Sequence, residues 1–142
     1  MIYQKEVLGK LLKSGWGELY DDFYWSIDRF ASIVLPIDEL KSERLEVQLI
    51  LEPYIAPGKL ESQSITIYAN GLMAYSSLLS QTRVIYLDLK SSICQNGLLK
   101  LDFMFPDSQA PIDHGMSNDE RKLGCKIFEL ATFEMNNIKN DY

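Results

Sequence analysis

Apolar and polar residues alternate over long stretches of this chain, and the alternation predicts β-strands. The longest run spans residues 45–51, where apolar and polar positions take opposite parities, namely Leu45, Val47, Leu49 and Leu51 against Glu46 and Gln48. A strand with one buried face has this period of two. A second run over residues 65–68 leads to Asn70-Gly71, a dipeptide typical of tight hairpins because both residues tolerate positive φ. With a short strand over residues 72–75, these runs predict three consecutive strands.

Further alternating runs predict strands over residues 29–35, 82–89, 99–105 and 125–135. Pro36 and Pro106 end two of them, since proline lacks the N–H that a sheet hydrogen bond needs. Glu129 breaks the parity of the last run, which predicts either a β-bulge or an edge position. Seven to nine short strands with little helix predict an all-β fold, either an antiparallel sandwich or a barrel. Of the two, we expect an antiparallel β-sandwich of the jelly-roll kind.

The chain of 142 residues is expected to form a single domain, residues 1–142, with a core of its own. Residues 1–14 form an N-terminal arm that fits two structures. The spacing of its apolar residues favours a helix, whereas Gly9 interrupts that pattern and fits a short strand followed by a turn. Residues 136–142 are expected to be a frayed tail.

Two segments lack any strand period. Residues 15–26 are dense in aromatic and acidic side chains, and we expect them to pack as a loop across one end of the sheets. Residues 106–124 contain two prolines and two glycines and are expected to form a long irregular loop before the last strand.

Charge and composition disfavour several classes of function. The formal net charge of −6 disfavours nucleic acid as a partner, because phosphate binding needs a basic surface. No segment is long and apolar enough for membrane insertion, and the first residues lack the apolar core of a signal peptide. The sequence therefore predicts a cytoplasmic protein, with Cys94 and Cys125 as reduced, buried thiols and a disulfide as the alternative.

Three motifs along the chain, taken together, resemble those of a known family of domains. They are an opening at Gly15, Trp16, Gly17, Glu18, Trp25 and Ser26, a hairpin at Gly58, Gln63, Ile65, Ile67, Asn70 and Gly71, and an ending at Pro111, Ser117, Asp119, Arg121, Leu123 and Gly124. Over about residues 15–135 the chain resembles the β-sandwich, carbohydrate-binding-like domains found beside or fused to bacterial glycosyltransferases and other enzymes of surface-polysaccharide assembly. The resemblance implies an ancillary, non-catalytic module in glycan assembly.

Aromatic residues between positions 16 and 25 are the candidates for a sugar-binding platform, namely Trp16, Tyr20, Tyr24 and Trp25. Apolar sugar faces stack on flat rings, and neighbouring carboxylates accept hydrogen bonds from sugar hydroxyls. Glu18, Asp21 and Asp22 are the candidate acceptors. The alternative for each tryptophan is structural: the ring plugs the end of the core and its indole N–H donates to a backbone carbonyl.

The single histidine, His114, is a further candidate ligand-binding residue, with a solvated loop position as the alternative. A catalytic triad needs a nucleophile beside the histidine, and no Gly-x-Ser-x-Gly elbow is present. One histidine and two distant cysteines do not predict a zinc site, whereas the oxygen-bearing residues 113–120 leave calcium open. We expect no enzymatic activity and no cofactor.

Asp119 and Arg121 precede the last strand and are predicted to anchor the 106–124 loop. A long loop cannot pair all its backbone groups in a sheet, and the five donors of arginine can supply partners. Arg121 is therefore expected to be mostly buried and bound to loop carbonyls, to Asp119 or to Asp113. In the alternative interpretation, Arg121 binds an acidic or phosphorylated sugar.

Two functional hypotheses follow from the sequence. In the first, the domain binds carbohydrate or supports a glycosyltransferase of polysaccharide assembly. In the second, it is a protein–protein or self-association module, such as a homodimer, with no small ligand. Aromatic and methionine side chains suit interface cores, and the candidates on outward strand faces are Tyr68, Met73, Tyr75 and Tyr86.

Overall fold

A computed structural model describes residues 1–136 and consists largely of β-strand. Apart from Asn136, the predicted frayed tail lies outside the described residues. Helix α1 (Lys5–Gly9) and three 3-10 helices lie in connections between strands. Within residues 1–136 there are nine strands, β1 (Ile2–Gln4), β2 (Tyr24–Trp25), β3 (Phe30–Pro36), β4 (Arg44–Pro53), β5 (Gln63–Ala69), β6 (Leu72–Leu79), β7 (Arg83–Lys90), β8 (Leu98–Met104) and β9 (Cys125–Met135).

The strands form two antiparallel sheets that pack face to face. The first sheet has the order β1-β9-β4-β7, with β2 paired to one end of β9, and the second has the order β3-β8-β5-β6. Successive side chains of a strand point to opposite faces of its sheet. The apolar parity of β4 is accordingly buried throughout, at Leu45, Val47, Leu49 and Leu51. The predicted antiparallel β-sandwich is confirmed.

Aromatic rings close one end of the core. Phe103 and Phe105 are fully buried and stack with ring centroids 6.0 Å apart. Trp16 meets both rings edge-on, at centroid distances of 5.6 Å and 6.4 Å. Its indole N–H donates to the carbonyl oxygen of Ser32 over 3.0 Å. For Trp16, the structural interpretation made from the sequence is therefore correct.

A β-bulge interrupts β9. Against β4, Ile50 pairs with Glu129 and Leu51 pairs with Ile127, so Phe128 is the extra residue. The bulge reverses the parity of the strand, and Ile127 and Leu130 are both buried. The break in alternation at Glu129 thus marks a bulge, and the alternative of an edge position is wrong because β9 has partners on both sides.

The predicted hairpin at Asn70-Gly71 is present, with φ of 46° and 85° at the two residues. Asparagine and glycine both tolerate this left-handed region. The strand after the turn, β6, continues to Leu79 and is longer than the alternation predicts. A register shift between Ile67 and Tyr68 adds a second irregularity to this hairpin.

The N-terminal arm combines both structures that its sequence fits. β1 pairs with β9, and helix α1 follows at once. A Cβ added at Gly9 would collide with the hydroxyl oxygen of Tyr24, so a larger residue here would require the Tyr24 side chain to move. Residues 11–14 then run along β3, to which they are joined by backbone hydrogen bonds.

The two cysteines are free thiols. Cys125 is buried, as expected, and burial raises the pKa of its thiol to about 12. Cys94 is only half-buried, although burial raises the pKa of its thiol too. Among the described residues, no helix has the length and apolar character needed to cross a bilayer.

Substitutions of buried and of exposed apolar residues are expected to differ sharply in their effect on stability. Replacing Phe103 with alanine removes a fully buried ring and leaves a cavity, so we expect a loss of about 3–5 kcal/mol in the free energy of unfolding. Leu72→Ala is the control, because Leu72 is 61% exposed and surface substitutions change stability by about 0.5 kcal/mol or less. Urea denaturation of both variants measures the difference, and similar losses would contradict the core described here.

Candidate functional site

A cleft of about 650 Å³ opens where the 15–26 segment meets β9 and the end of the 106–124 loop. We call it the aromatic cleft. Its walls are Gly17, Glu18, Leu19, Tyr20, Phe23, Trp25, Ile27, Arg121 and Lys126. It therefore brings together three of the predicted ligand-binding residues with one of the two predicted anchor residues.

Backbone pairing positions the cleft residues. Tyr20 and Phe23 exchange two backbone hydrogen bonds, of 3.0 Å and 3.1 Å, around a tight turn. Asp21 takes a positive φ of 57° in this turn, a conformation that aspartate tolerates better than most residues. β2 then pairs with β9, so that Trp25 lies opposite Lys126. The 15–26 segment is thus a small hairpin joined to the first sheet, and not only a covering loop.

The aromatic rings in the cleft support one another. Phe23 lies between Tyr20 and Trp25, with ring centroids 5.7 Å and 5.9 Å away. The extra residue of the bulge, Phe128, contacts Phe23 from β9 at 5.7 Å. Tyr20 is 73% exposed, so it presents its ring to solvent while Phe23 contacts it on one side.

Lys126 packs over the rings as a cation. Its ammonium nitrogen lies 4.4 Å from the centroid of Phe23 and 5.1 Å from that of Trp25. The same nitrogen forms an ion pair with Glu52 at 2.8 Å. A hydrogen bond from Lys126 is the main reason that the pKa of Glu52 lies below its usual value. Since Lys126 covers these two rings, Tyr20 is the ring most open to a ligand.

Arg121 contributes hydrogen-bond donors to the cleft wall. Its Nε and Nη2 donate to the carboxylate of Asp119, with the shortest distance at 2.7 Å. This hydrogen bonding lowers the pKa of Asp119. Its third nitrogen, Nη1, lies beside Gly17, where an added Cβ would be 3.4 Å away. Among the described residues, Nη1 donates no hydrogen bond and the exposed carboxylate of Glu18 accepts none, so both groups are available to a ligand.

The expectation that Arg121 is mostly buried is wrong. Its side chain is 47% exposed, and the donors that are engaged bind Asp119, two residues away. The prediction of Asp119 as a partner of Arg121 is therefore confirmed. The ion pair is local, however, because both residues belong to the same loop. An exposed pair of this kind contributes little to stability.

Other contacts fasten the 106–124 loop to the sandwich. The hydroxyl oxygen of buried Ser26 accepts hydrogen bonds from the backbone N–H groups of Gly124 and Cys125, at 3.1 Å and 2.9 Å. Within the loop itself, Gln109 and Leu123 pair through two backbone hydrogen bonds, which hold its two ends together. Ser26 belongs to the opening motif, but its role is visible only after folding because the two segments are about a hundred residues apart in sequence.

His114 lies outside the aromatic cleft. Its ring stacks on Tyr54 at a centroid distance of 6.0 Å. One ring nitrogen, Nδ1, is 3.0 Å from the Tyr54 hydroxyl, and the other is 2.6 Å from the amide oxygen of Gln109. Tyr54 meets Trp25 edge-on at 6.1 Å, so His114 is separated from the cleft by one ring. These contacts favour a structural role over direct ligand binding.

The remaining predicted residues take other positions. Tyr24 is buried and donates from its hydroxyl to the carbonyl oxygen of Lys5, so its ring does not form part of the cleft wall. Asp21 and Asp22 are exposed in the turn but do not line the cleft. Within residues 1–136, no group of three or more acidic, histidine or cysteine side chains is arranged to hold a metal ion.

Phe23 and Lys126 line the cleft but are not among the residues predicted from the sequence. Phe23 has the aromatic signal of its neighbours, but its position beneath the other rings depends on the turn at Asp21. Lys126 occupies the polar parity of β9, as an ordinary surface residue would. Its role arises because β2 pairs with β9 in a register that places Trp25 opposite it.

The fold is of the class found in carbohydrate-binding modules. A family 35 carbohydrate-binding module from an environmental isolate matches with a TM-score of 0.56 at 12% identity, covering 97% of this chain and 99% of that one. A family 36 module in complex with calcium and xylotriose matches with a TM-score of 0.52 at 8% identity, covering 94% of this chain and 99% of that one. At such low identity the likeness shows a shared fold.

The same fold also occurs as part of a larger enzyme. A family GH115 4-O-methyl-α-glucuronidase with specificity for decorated arabinogalactans matches with a TM-score of 0.56 at 12% identity. The match covers 96% of this chain but 18% of the glucuronidase, so the chain spans less than a fifth of that enzyme. No protein-family model and no curated protein sequence matches the chain.

The contacts of the 106–124 loop predict that Ser26, and not Arg121, is important for stability. Ser26→Ala removes the side-chain oxygen that accepts hydrogen bonds from two buried N–H groups, and we expect a loss of about 1–3 kcal/mol in the free energy of unfolding. Arg121→Ala removes an exposed ion pair and should cost about 1 kcal/mol or less. Urea denaturation of the two variants tests this order. A larger loss for Arg121→Ala would restore the anchor interpretation.

Proposed function

We propose that this domain binds carbohydrate in the aromatic cleft and has no catalytic activity. One observation carries the proposal: an exposed ring, Tyr20, lies beside two polar groups without partners among the described residues, the carboxylate of Glu18 and Nη1 of Arg121. A sugar offers an apolar face to the ring and hydroxyl groups to the carboxylate and the guanidinium. The volume of about 650 Å³ lies within the range of small-ligand sites.

The wall of the cleft is held in place before any ligand enters. Trp25 and Phe23 are fixed by edge-on ring contacts and by the ammonium group of Lys126. Lys126 is itself held by Glu52. A preformed wall reduces the entropy that binding must overcome, which supports recognition of a ligand with many weak hydrogen-bonding groups.

The inference that the domain is non-catalytic rests on the acids in the cleft. Glycoside hydrolysis in most families uses two carboxyl groups flanking the scissile bond. Glu18 is the one acidic residue among those lining the cleft. The similar fold of carbohydrate-binding modules, one of them in complex with xylotriose, supports the same inference by analogy.

We further propose that the domain assists a glycosyltransferase in polysaccharide assembly in the cytoplasm. Its support is the resemblance carried by the opening, hairpin and ending motifs. The opening motif supplies Trp25 and Glu18 to the cleft, and the ending motif supplies Arg121. Two of the three motifs therefore converge on one site, as expected if the resemblance reflects a shared binding function.

Tyr20→Ala tests the proposed site. We expect xylotriose, cellotriose or mannotriose to shift the amide resonances of Tyr20 and Arg121 and the indole resonance of Trp25 in an NMR titration. The indole resonance of Trp16 is an internal control because this ring plugs the core. Tyr20→Ala should weaken binding about tenfold, the size of effect expected when a stacked aromatic ring is lost.

Tyr86→Ala is the matched control for this titration. Tyr86 is an exposed tyrosine on β7, away from the cleft, so binding should be unchanged. The proposal would be overturned if these sugars, at millimolar concentration, left the cleft resonances unmoved in the folded protein. It would also be overturned if Tyr86→Ala weakened binding as much as Tyr20→Ala.

Self-association is the second candidate function, and the edge strand β6 favours it. β6 ends the second sheet, and it carries three exposed apolar side chains, Leu72, Met73 and Leu78. An edge strand with apolar side chains can pair with a second copy of the same edge. Of the four outward candidates from the sequence, Met73 and Tyr86 are exposed and Tyr68 is half-buried. The prediction for Tyr75 is wrong, because it lies opposite the buried Ile67 and packs against the core.

Sedimentation tests this second candidate. If β6 mediates self-association, the parent protein should sediment as a dimer at high concentration and Met73→Lys should be monomeric, because a charge at an edge opposes pairing. Phe133→Lys, on the outer face of β9, serves as the control and should remain dimeric. A parent protein that is monomeric throughout the concentration range would exclude this candidate.

A further inference from the structure

A second groove lies on the outer face of the sheet β3-β8-β5-β6. It has a volume of about 370 Å³ and shares no lining residue with the aromatic cleft. We call it the sheet groove and define it by Ser14, Phe30, Tyr68, Lys100, Asp102 and Met104. Neither the motifs nor the structural similarities described above assign a role to these residues.

The strand register explains how these residues meet. Asp102 on β8 pairs with Ser32 on β3 and with Tyr68 on β5, so three strands contribute to one row across the sheet. Phe30 pairs with Met104 in the next row. Neighbouring residues of opposite parity, such as Phe103, are buried between the sheets. The pleat therefore places the groove residues on the outward face.

An aromatic ring is exposed in this groove. Phe30, at the first position of β3, is 61% exposed. Tyr68 is half-buried and lies two strands away from β3, roughly 10 Å by the usual strand spacing. Phe30 offers an apolar surface for stacking, and Tyr68 offers a phenol that both donates and accepts hydrogen bonds.

The positive charge of Lys100 and the negative charge of Asp102 balance each other in the groove. The ammonium nitrogen of Lys100 lies 3.6 Å from a carboxylate oxygen of Asp102, and the two side chains are 56% and 42% exposed. This distance is too long for a strong hydrogen bond, so both groups keep donors and acceptors for a ligand. Because the net charge of this pair is zero, the groove matches a neutral polar ligand better than an anion.

We propose that the sheet groove is a second carbohydrate site, specific for a neutral oligosaccharide. The inference rests on the proposed function, because it assumes that the domain recognises glycans. Phe30 stacks on a sugar face while Lys100 and Asp102 bind hydroxyl groups. A protein partner fits less well, because stable protein interfaces bury about 800 Å² on each side, whereas a concave groove of this volume suits a small ligand.

An NMR titration of the folded domain with xylotriose, cellotriose and mannotriose tests the proposal. We expect the amide resonances of Lys100, Asp102 and Met104 to shift with one of these sugars, in addition to the shifts at Tyr20 and Trp25. Phe30→Ala should remove the groove shifts, or weaken that site at least tenfold, and leave the cleft shifts in place. Tyr20→Ala should do the reverse.

The matched control is Phe133→Ala, which removes an exposed phenylalanine from the outer face of the other sheet. It should leave both sets of shifts unchanged. Asp102→Asn is the second variant, to be used if Phe30→Ala fails to fold. It keeps the shape of the side chain, removes its charge and should also weaken the groove site.

The possible outcomes separate this inference from the proposed function. Shifts at the cleft alone overturn the sheet groove but leave the proposed function standing. Shifts at the groove alone support the inference and move the carbohydrate site away from the cleft. No shift with any of the three sugars overturns both. Groove resonances that follow protein concentration, and not sugar concentration, overturn the inference in favour of a second copy of the chain.

Discussion

The register of β9 against its neighbours is the constraint on which most of this structure depends. β9 pairs with β4 on one side and with β1 and β2 on the other. The bulge at Phe128 lets both halves of this long strand bury apolar residues, although their parities differ. It also turns Phe128 toward Phe23, and the pairing with β2 brings Lys126 over the ring of Trp25. One strand therefore supports both the core and the cleft.

The aromatic cleft divides into a supporting part and an exposed part. Ring contacts and two ion pairs hold the supporting part, so the charges of Lys126 and Arg121 are already balanced by Glu52 and Asp119. The exposed part consists of Tyr20, Glu18 and one guanidinium nitrogen. This division resembles the general pattern of binding sites in which rigid anchors limit the entropic cost of association and a few polar groups provide specificity.

A β-sandwich uses one face of each sheet for its core, and the outer faces remain available for contacts. In the second sheet, segment 11–14 covers the free edge of β3, while β6 ends the other side without a strand partner among the described residues. The sheet groove lies between these two edges. Its row of paired residues from three strands is a direct product of the pleat, which presents alternate residues of adjacent strands side by side.

Local patterns in the sequence specify the seven strands β3 to β9, the Asn70-Gly71 turn and the irregularity in β9, because alternation and turn chemistry are local properties of the chain. They do not specify β1 and β2, which are only three and two residues long. The sequence also identified the aromatic segment that forms much of the cleft. Tertiary structure alone decided that Trp16 plugs the core while Trp25 lines the cleft, that Arg121 is exposed, and that Lys126 covers two rings. These outcomes depend on the register between segments far apart in sequence, and one residue of slip reverses which side chains are buried.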